Sequence, residues 1–149
     1  MNKRELAEEY FRSGYNCAQS VALAFKDELG LEEKTIAMLS CGFGGGLGRQ
    51  RLVCGAVSAM AFVLGGLKGY FDPKEVQGKM DVYKAIQEVC NQFKSQNGSI
   101  ICAELLGEQN TLVTFVPEKR TNEYYKKRPC VNLCGDAAEI LQNYLENNK

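Results

Sequence analysis

Gly42, Gly44, Gly45, Gly46 and Gly48 crowd one short stretch, Cys41-Gly-Phe-Gly-Gly-Gly-Leu-Gly48, with helical signals on both sides of it. A run this rich in glycine does not hold a helix, because ordering glycine costs more backbone entropy than ordering any other residue. It predicts a turn between helices at which chain segments approach closely. Strand signals are nearly absent elsewhere. At 149 residues the chain reads as one domain, 1–149, long enough to bury a core without staples. The expected fold is all-α, a compact helical bundle with a glycine-rich interhelical turn.

Apolar periodicity places the helices. Residues 3–13 carry Leu6, Tyr10 and Phe11 on one side, and Gly14 interrupts them. Asn16 and Gln19 make a capping-box pair for a helix from Cys17 to about Leu29, closed by Gly30. A short helix follows around 32–39. Beyond the glycine turn, a helix over 50–67 puts Cys54, Val57, Ser58, Ala61, Phe62 and Gly65 on one face. Its small residues suit close packing, inside the chain or across a homodimer. Asp72, Pro73 and Glu75 predict the start of a long helix from Pro73 to about Phe93, with Val76, Met80, Tyr83, Ile86, Val89, Cys90 and Phe93 inward. Ser99 reads as the cap of a helix that carries Cys102 and ends at Gly107. Residues 108–121 read as loop, with an extended piece over 112–116. Pro129 then opens a last helix, in which Gly135 is a candidate break.

Composition narrows the function. Lys plus Arg and Asp plus Glu are 18 each, so there is no basic stripe of the kind nucleic acid requires. Lys119, Arg120, Lys126, Lys127 and Arg128 read as a solvated charged loop interrupted by Glu118 and Glu123. The first residues lack a signal peptide's apolar stretch. The apolar passage from Leu52 to Leu67 contains Ser58 and glycines and falls short of a membrane span. A cytoplasmic chain with no transmembrane span is expected. There is no histidine, which excludes catalysis by an imidazole base.

Cysteine chemistry is the leading reading that remains. There are 7 cysteines, an odd number that argues against a purely structural disulfide scaffold. Cys17, Cys54, Cys102 and Cys130 fall at or near helix beginnings, where free N–H groups and the macrodipole favour thiolate. Cys17, Cys54 and Cys102 are candidates for dithiol exchange. Together with Cys130 they are also candidate ligands of zinc or an iron–sulfur cluster. Neither a Cys-x-x-Cys redox pair nor the close ligand pairs of common metal motifs is present. Cys130 and Cys134 lie one helical turn apart, Cys90 reads as core, and Cys41 abuts the glycine turn. Gly44, Gly45, Gly46 and Arg49 are candidate anion- or cofactor-binding residues through loop amides, although the order of a phosphate-binding loop is missing. A non-catalytic metal- or small-molecule-binding protein, linked to transport, is the alternative.

The chain also resembles the redox-active protein family named for a C_GCAxxG_C_C cysteine pattern. The resemblance rests on Gly14-Tyr15-Asn16-Cys17-Ala18-Gln19-Ser20, Gly42-Phe43-Gly44-Gly45-Gly46-Leu47-Gly48-Arg49 and Cys54-Gly55-Ala56-Val57-Ser58-Ala59. Gly98-Ser99 with Cys102, and Cys130 ahead of Asp136-Ala137-Ala138, complete it over essentially the whole chain. It implies that Cys17, Cys54, Cys102 and Cys130 are the characteristic cysteines, and that Cys41, Cys90 and Cys134 are additions. Ala59 stands where the family usually has glycine, a change of one methyl group. The resemblance also implies a redox partner protein and an iron–sulfur or other metal centre.

Overall fold

Asn2 accepts a hydrogen bond from the Glu5 amide and so starts α1 (Lys3–Arg12). This satisfies one of the donors a helix start leaves free. The computed structural model describes the backbone of residues 1–149 and every side chain except that of Gln109. Asn16 and Gln19 close the expected capping box at the head of α2 (Cys17–Ala24). Phe25 interrupts the helix, and a single turn, α3 (Lys26–Leu29), continues to a left-handed Gly30. α4 (Glu33–Ser40) leads through a tight turn into Gly44–Leu47, α5, in which Gly45 and Gly46 are left-handed and no regular helix survives.

The remaining elements are α6 (Gly55–Lys68), α7 (Val76–Asn97), α8 (Cys102–Leu106), α9 (Asn122–Lys127) and α10 (Cys130–Asn147). Among the described residues the β structure is one isolated antiparallel bridge, Val53 to Ile101. The fold is an all-α bundle with a glycine-rich interhelical turn, as expected. α1 lies in a groove between α2 and α10, α2 packs on α6, and α7 covers α6 and α10. Phe11, Phe25, Phe93, Met60, Leu64 and Leu141 fill the centre. Among the described residues no helix is long and apolar enough to cross a membrane.

Several helix limits and faces differ from expectation. α6 begins at Gly55, because residues 49–53 follow the glycine turn in irregular conformations. Its inner face is rotated as well: Ala56, Ala59, Met60, Val63 and Leu64 are buried, while Gly65 is exposed. The helix is covered by α2 on one side and by α7 and α10 on others, so the expected stripe is only one edge of a broader buried surface. The small residues of this face are used inside the chain.

α7 begins at Val76, later than the Asp72-Pro73 cap suggests. Asp72 instead closes a turn, its side chain accepting from the Lys74 amide at 2.9 Å and its carbonyl from the Glu75 amide at 3.0 Å. Val76, Met80 and Tyr83 are exposed, and the Tyr83 hydroxyl lies 3.1 Å from that of Tyr70. Val89 and Phe93 are buried as expected, with Ile86 and Cys90 packed beside them, and Val82 and Ala85 join them in the core. Gly135 does not break α10. Arg4 of α1 ties α10 down there through ion pairs to Asp136 and Glu139. Residues 112–116 form no strand.

Candidate functional site

The glycine turn is a run of left-handed residues. Gly45, Gly46 and Gly48 have φ of 66°, 71° and 59°, and Leu47, Arg49 and Arg51 have 68°, 65° and 64°. Side-chain-bearing residues in this region store about 1–3 kcal/mol each and persist where the surroundings hold them. Here the backbone folds onto itself: the Arg49, Arg51 and Leu52 amides donate to the carbonyls of Gly44, Gly45 and Gly46. A Cβ on Gly46 would meet the Leu52 nitrogen at 2.5 Å and the Cys102 Cβ at 2.7 Å. Gly46 therefore lets the turn lie directly against the head of α8.

That contact positions two cysteines. The Cys102 amide donates to the Leu52 carbonyl at 2.6 Å and the Cys54 amide to the Ile100 carbonyl at 2.8 Å. The short Val53–Ile101 bridge thus holds Cys54 and Cys102 in adjoining strands of backbone. Cys54 is the N-cap residue of α6, not a residue within its first turns as expected. Cys102 opens α8, and Ser99 is not its cap: the Ser99 hydroxyl accepts from the Ile101 amide at 2.9 Å and donates to Glu104. Cys17 opens α2, and its sulfur lies so close to Gly55 that a Cβ there would collide with it. Cys130 opens α10. Four helix heads bring four cysteines to the wall of one cavity.

All four line a cavity of about 360 Å³, joined by Cys41. Cys90 and Cys134 stand outside it. Cys134 is fully buried in the core, its thiol 3.8 Å from the Cys17 carbonyl. All seven cysteines are free thiols. Of the expected loop residues, Gly44, Gly45 and Arg49 are on the cavity wall; Gly46 lies behind it, packed on Cys102.

Helix heads favour thiolate, but burial wins here. Desolvation pushes Cys54 well above the ordinary thiol range, and the neighbouring Cys17 adds to this; the N–H groups of Ala56 and Val57 at the start of α6 pull back only in part. Burial pushes Cys130 up to about 12, with Cys17 adding to it and Arg128 opposing it. Cys102 is also raised by burial, but the Arg51 guanidinium, with Nη1 at 3.8 Å from Sγ, opposes the shift. The expectation of standing thiolates at these positions is thus corrected: desolvation exceeds the field of a helix end. Cys102 is the thiol with a hydrogen-bonding cation beside it.

Arg120 and Arg128 were the least legible part of the site: both line the cavity together with Arg49 and Arg51. Arg51 is 5% exposed and its Nη2 has no hydrogen-bond partner among the described residues; nor has Arg128 Nε. Arg120 is not in a solvated loop as expected: it lies over the Phe11 ring at 4.1 Å and donates to the Phe11 and Tyr15 carbonyls at 2.8 Å. Arg128 pairs with Glu118 and lies over Tyr124. Arg49 donates to the carbonyls of Thr114 and Val116, and Arg51 Nε to that of Leu112. Residues 112–117 are thereby strapped beside the sulfurs.

The donor set suits a thiophilic metal in its chemistry, since every candidate ligand is a cysteine sulfur. Among the described residues, however, no three His, Cys, Asp or Glu side chains converge as a ligand cage. The sulfurs share a cavity without being drawn to one point.

No curated protein and no solved structure matches the chain. A family model does match, over residues 15–144, which takes in the glycine turn and all four helix-head cysteines; its description is "Putative redox-active protein (C_GCAxxG_C_C)". The chain belongs to this redox-active cysteine family.

Proposed function

We propose that the chain is a thiol redox protein that works by dithiol–disulfide exchange in the cysteine-lined cavity. The carrying observation is the Arg51 guanidinium at 3.8 Å from the Cys102 sulfur, inside a cavity that Cys17 also lines. The cation opposes the burial that raises the Cys102 thiol, and the thiolate fraction it supports makes Cys102 the attacking group. Its thiolate attacks one sulfur of a disulfide R–S–S–R, forming Cys102–S–S–R and expelling RS⁻. Cys17, which lines the same cavity, then attacks the Cys102 sulfur and expels the second RS⁻. The two protons lost by the protein thiols leave on the product thiols. R–S–S–R is reduced to two RSH, and the protein is oxidised to a Cys17–Cys102 disulfide. A redox partner protein restores the dithiol, and a reducing compartment such as the cytoplasm suits that cycle.

Mixing reduced protein with hydroxyethyl disulfide and counting released thiol tests the proposal. Three equivalents per chain are expected, two from the Cys17–Cys102 pair and one from a mixed disulfide at exposed Cys41. Release confined to one equivalent, from exposed Cys41 alone, overturns it.

A second reading keeps the same residues. The all-sulfur donor set and the positive wall both suit a thiolate-bound zinc or iron–sulfur centre held by Cys17, Cys54, Cys102 and Cys130. The arginines would offset the negative charge of a centre held there, and an iron–sulfur centre would supply one-electron transfer. Stoichiometric iron with acid-labile sulfide in anaerobically purified protein would replace the exchange cycle with this one.

A further inference from the structure

The cavity wall carries more positive charge than its own residues neutralise. Among the described residues Arg49, Arg51 and Arg120 make no ion pair, and Arg128 has a single carboxylate, Glu118, which is itself half exposed. Arg51 is nineteen-twentieths buried, at 5% exposure. Burying a guanidinium without an anion is costly, and leaving one of its N–H groups unmade adds to the cost. Both unpartnered atoms, Arg51 Nη2 and Arg128 Nε, belong to residues on this wall. The Cys102 sulfur takes the N–H of Arg51 Nη1 and leaves Nη2 without a partner. Burial, and then the charges of Arg51 and Arg128, push Arg49 below the usual guanidinium range, and Glu118 offsets this only in part.

We infer that the cavity binds a small carboxylate-bearing molecule through Arg51 and Arg128, and that the disulfide it reduces is anionic. This rests on the exchange reading for its chemistry, while the anion site rests on the arginines alone. The cavity, at about 360 Å³, lies in the range that holds small ligands. A carboxylate there faces the guanidinium groups of Arg51, which has no anionic partner among the described residues, and of Arg128, which has only Glu118. Charge-assisted pairing of this kind also fixes orientation, which sets the disulfide bond beside Cys102. The balance of atoms and electrons is that of the exchange cycle, with R bearing the carboxylate.

Two measurements test this on the full-length reduced protein. The first is calorimetric titration with thiodiglycolate, a dicarboxylate thioether that no thiol can reduce. Saturable binding is expected, weakened about tenfold or more by Arg51→Gln and separately by Arg128→Gln, with each variant's helicity checked by circular dichroism. No saturable binding, or affinity unchanged in both folded variants, overturns the proposal. The second compares reduction rates of dithiodiglycolate, hydroxyethyl disulfide and cystamine, each divided by its rate with free cysteine. The anionic disulfide is expected to lead and the cationic one to trail. Reduction of all three without charge preference overturns the anionic substrate and leaves dithiol exchange standing. Binding of thiodiglycolate with no disulfide reduced overturns dithiol exchange and leaves the anion site standing.

Discussion

Gly46→Ala should lower the stability of the fold by roughly 2–5 kcal/mol and disturb Cys102 at the same time. Two costs combine. A residue with Cβ at φ 71° pays about 1–2 kcal/mol for the left-handed region. The new methyl would also lie 2.5 Å from the Leu52 nitrogen and 2.8 Å from the Arg51 carbonyl carbon. Those atoms are backbone and cannot rotate away, so the turn must shift at an overpacking cost of about 1–3 kcal/mol. At this chain length each kcal/mol moves the melting temperature by roughly 2–4 °C. Gly48→Ala is the control: its φ is 59°, with nothing within 4 Å of the added carbon. It should show the conformational cost only and leave Cys102 reactivity unchanged. Equal melting temperatures for the two variants would mean that Gly46 does not pack as described.

Cys102→Ser should abolish release of thiol from a small disulfide, leaving only what exposed Cys41 contributes. A serine hydroxyl does not reach its anion near neutral pH, so the Arg51 guanidinium has no nucleophile to stabilise. The fold should persist, because the hydroxyl can accept from Arg51 in place of sulfur, and a buried hydroxyl costs about 1–3 kcal/mol at most. Cys90→Ser, outside the cavity, should retain exchange. Loss of activity in both variants would point to unfolding; retention in both would remove Cys102 from the mechanism.

What the sequence made legible is local. The Asn16–Gln19 capping box, the left-handed Gly30 and the glycine turn each depend on neighbours a few residues away, and each appears where expected. Cys17 and Cys130 sit at helix starts for the same reason. Cys54 was displaced because the start of α6 is set by pairing with residues 100–102, a contact that no period in 50–67 encodes. α9 escaped because six residues carry too little periodicity; Thr121 caps it, accepting from the Tyr124 amide at 3.2 Å.

The largest omission is Arg120 and Arg128, which share a stretch with Lys119, Lys126 and Lys127 and look like them in composition. The lysines stay in solvent. The arginines turn inward because their flat guanidinium groups lie over Phe11 and Tyr124, a cation–π fit that suits arginine. Phe11 lies far away in sequence, so only the folded chain shows the pairing. The sign of the thiol shifts was lost for a related reason. Helix position can be read from sequence, but the depth of burial that overrides it cannot.

The central claim is that Cys102 and Cys17 act as a pair, and a non-reducing peptide map of the protein after one turnover with dithiodiglycolate tests it most directly. The account predicts a Cys17–Cys102 disulfide, with Cys90 and Cys134 still reduced. A map with all seven thiols intact, or with the only oxidised sulfur at Cys41, would contradict it.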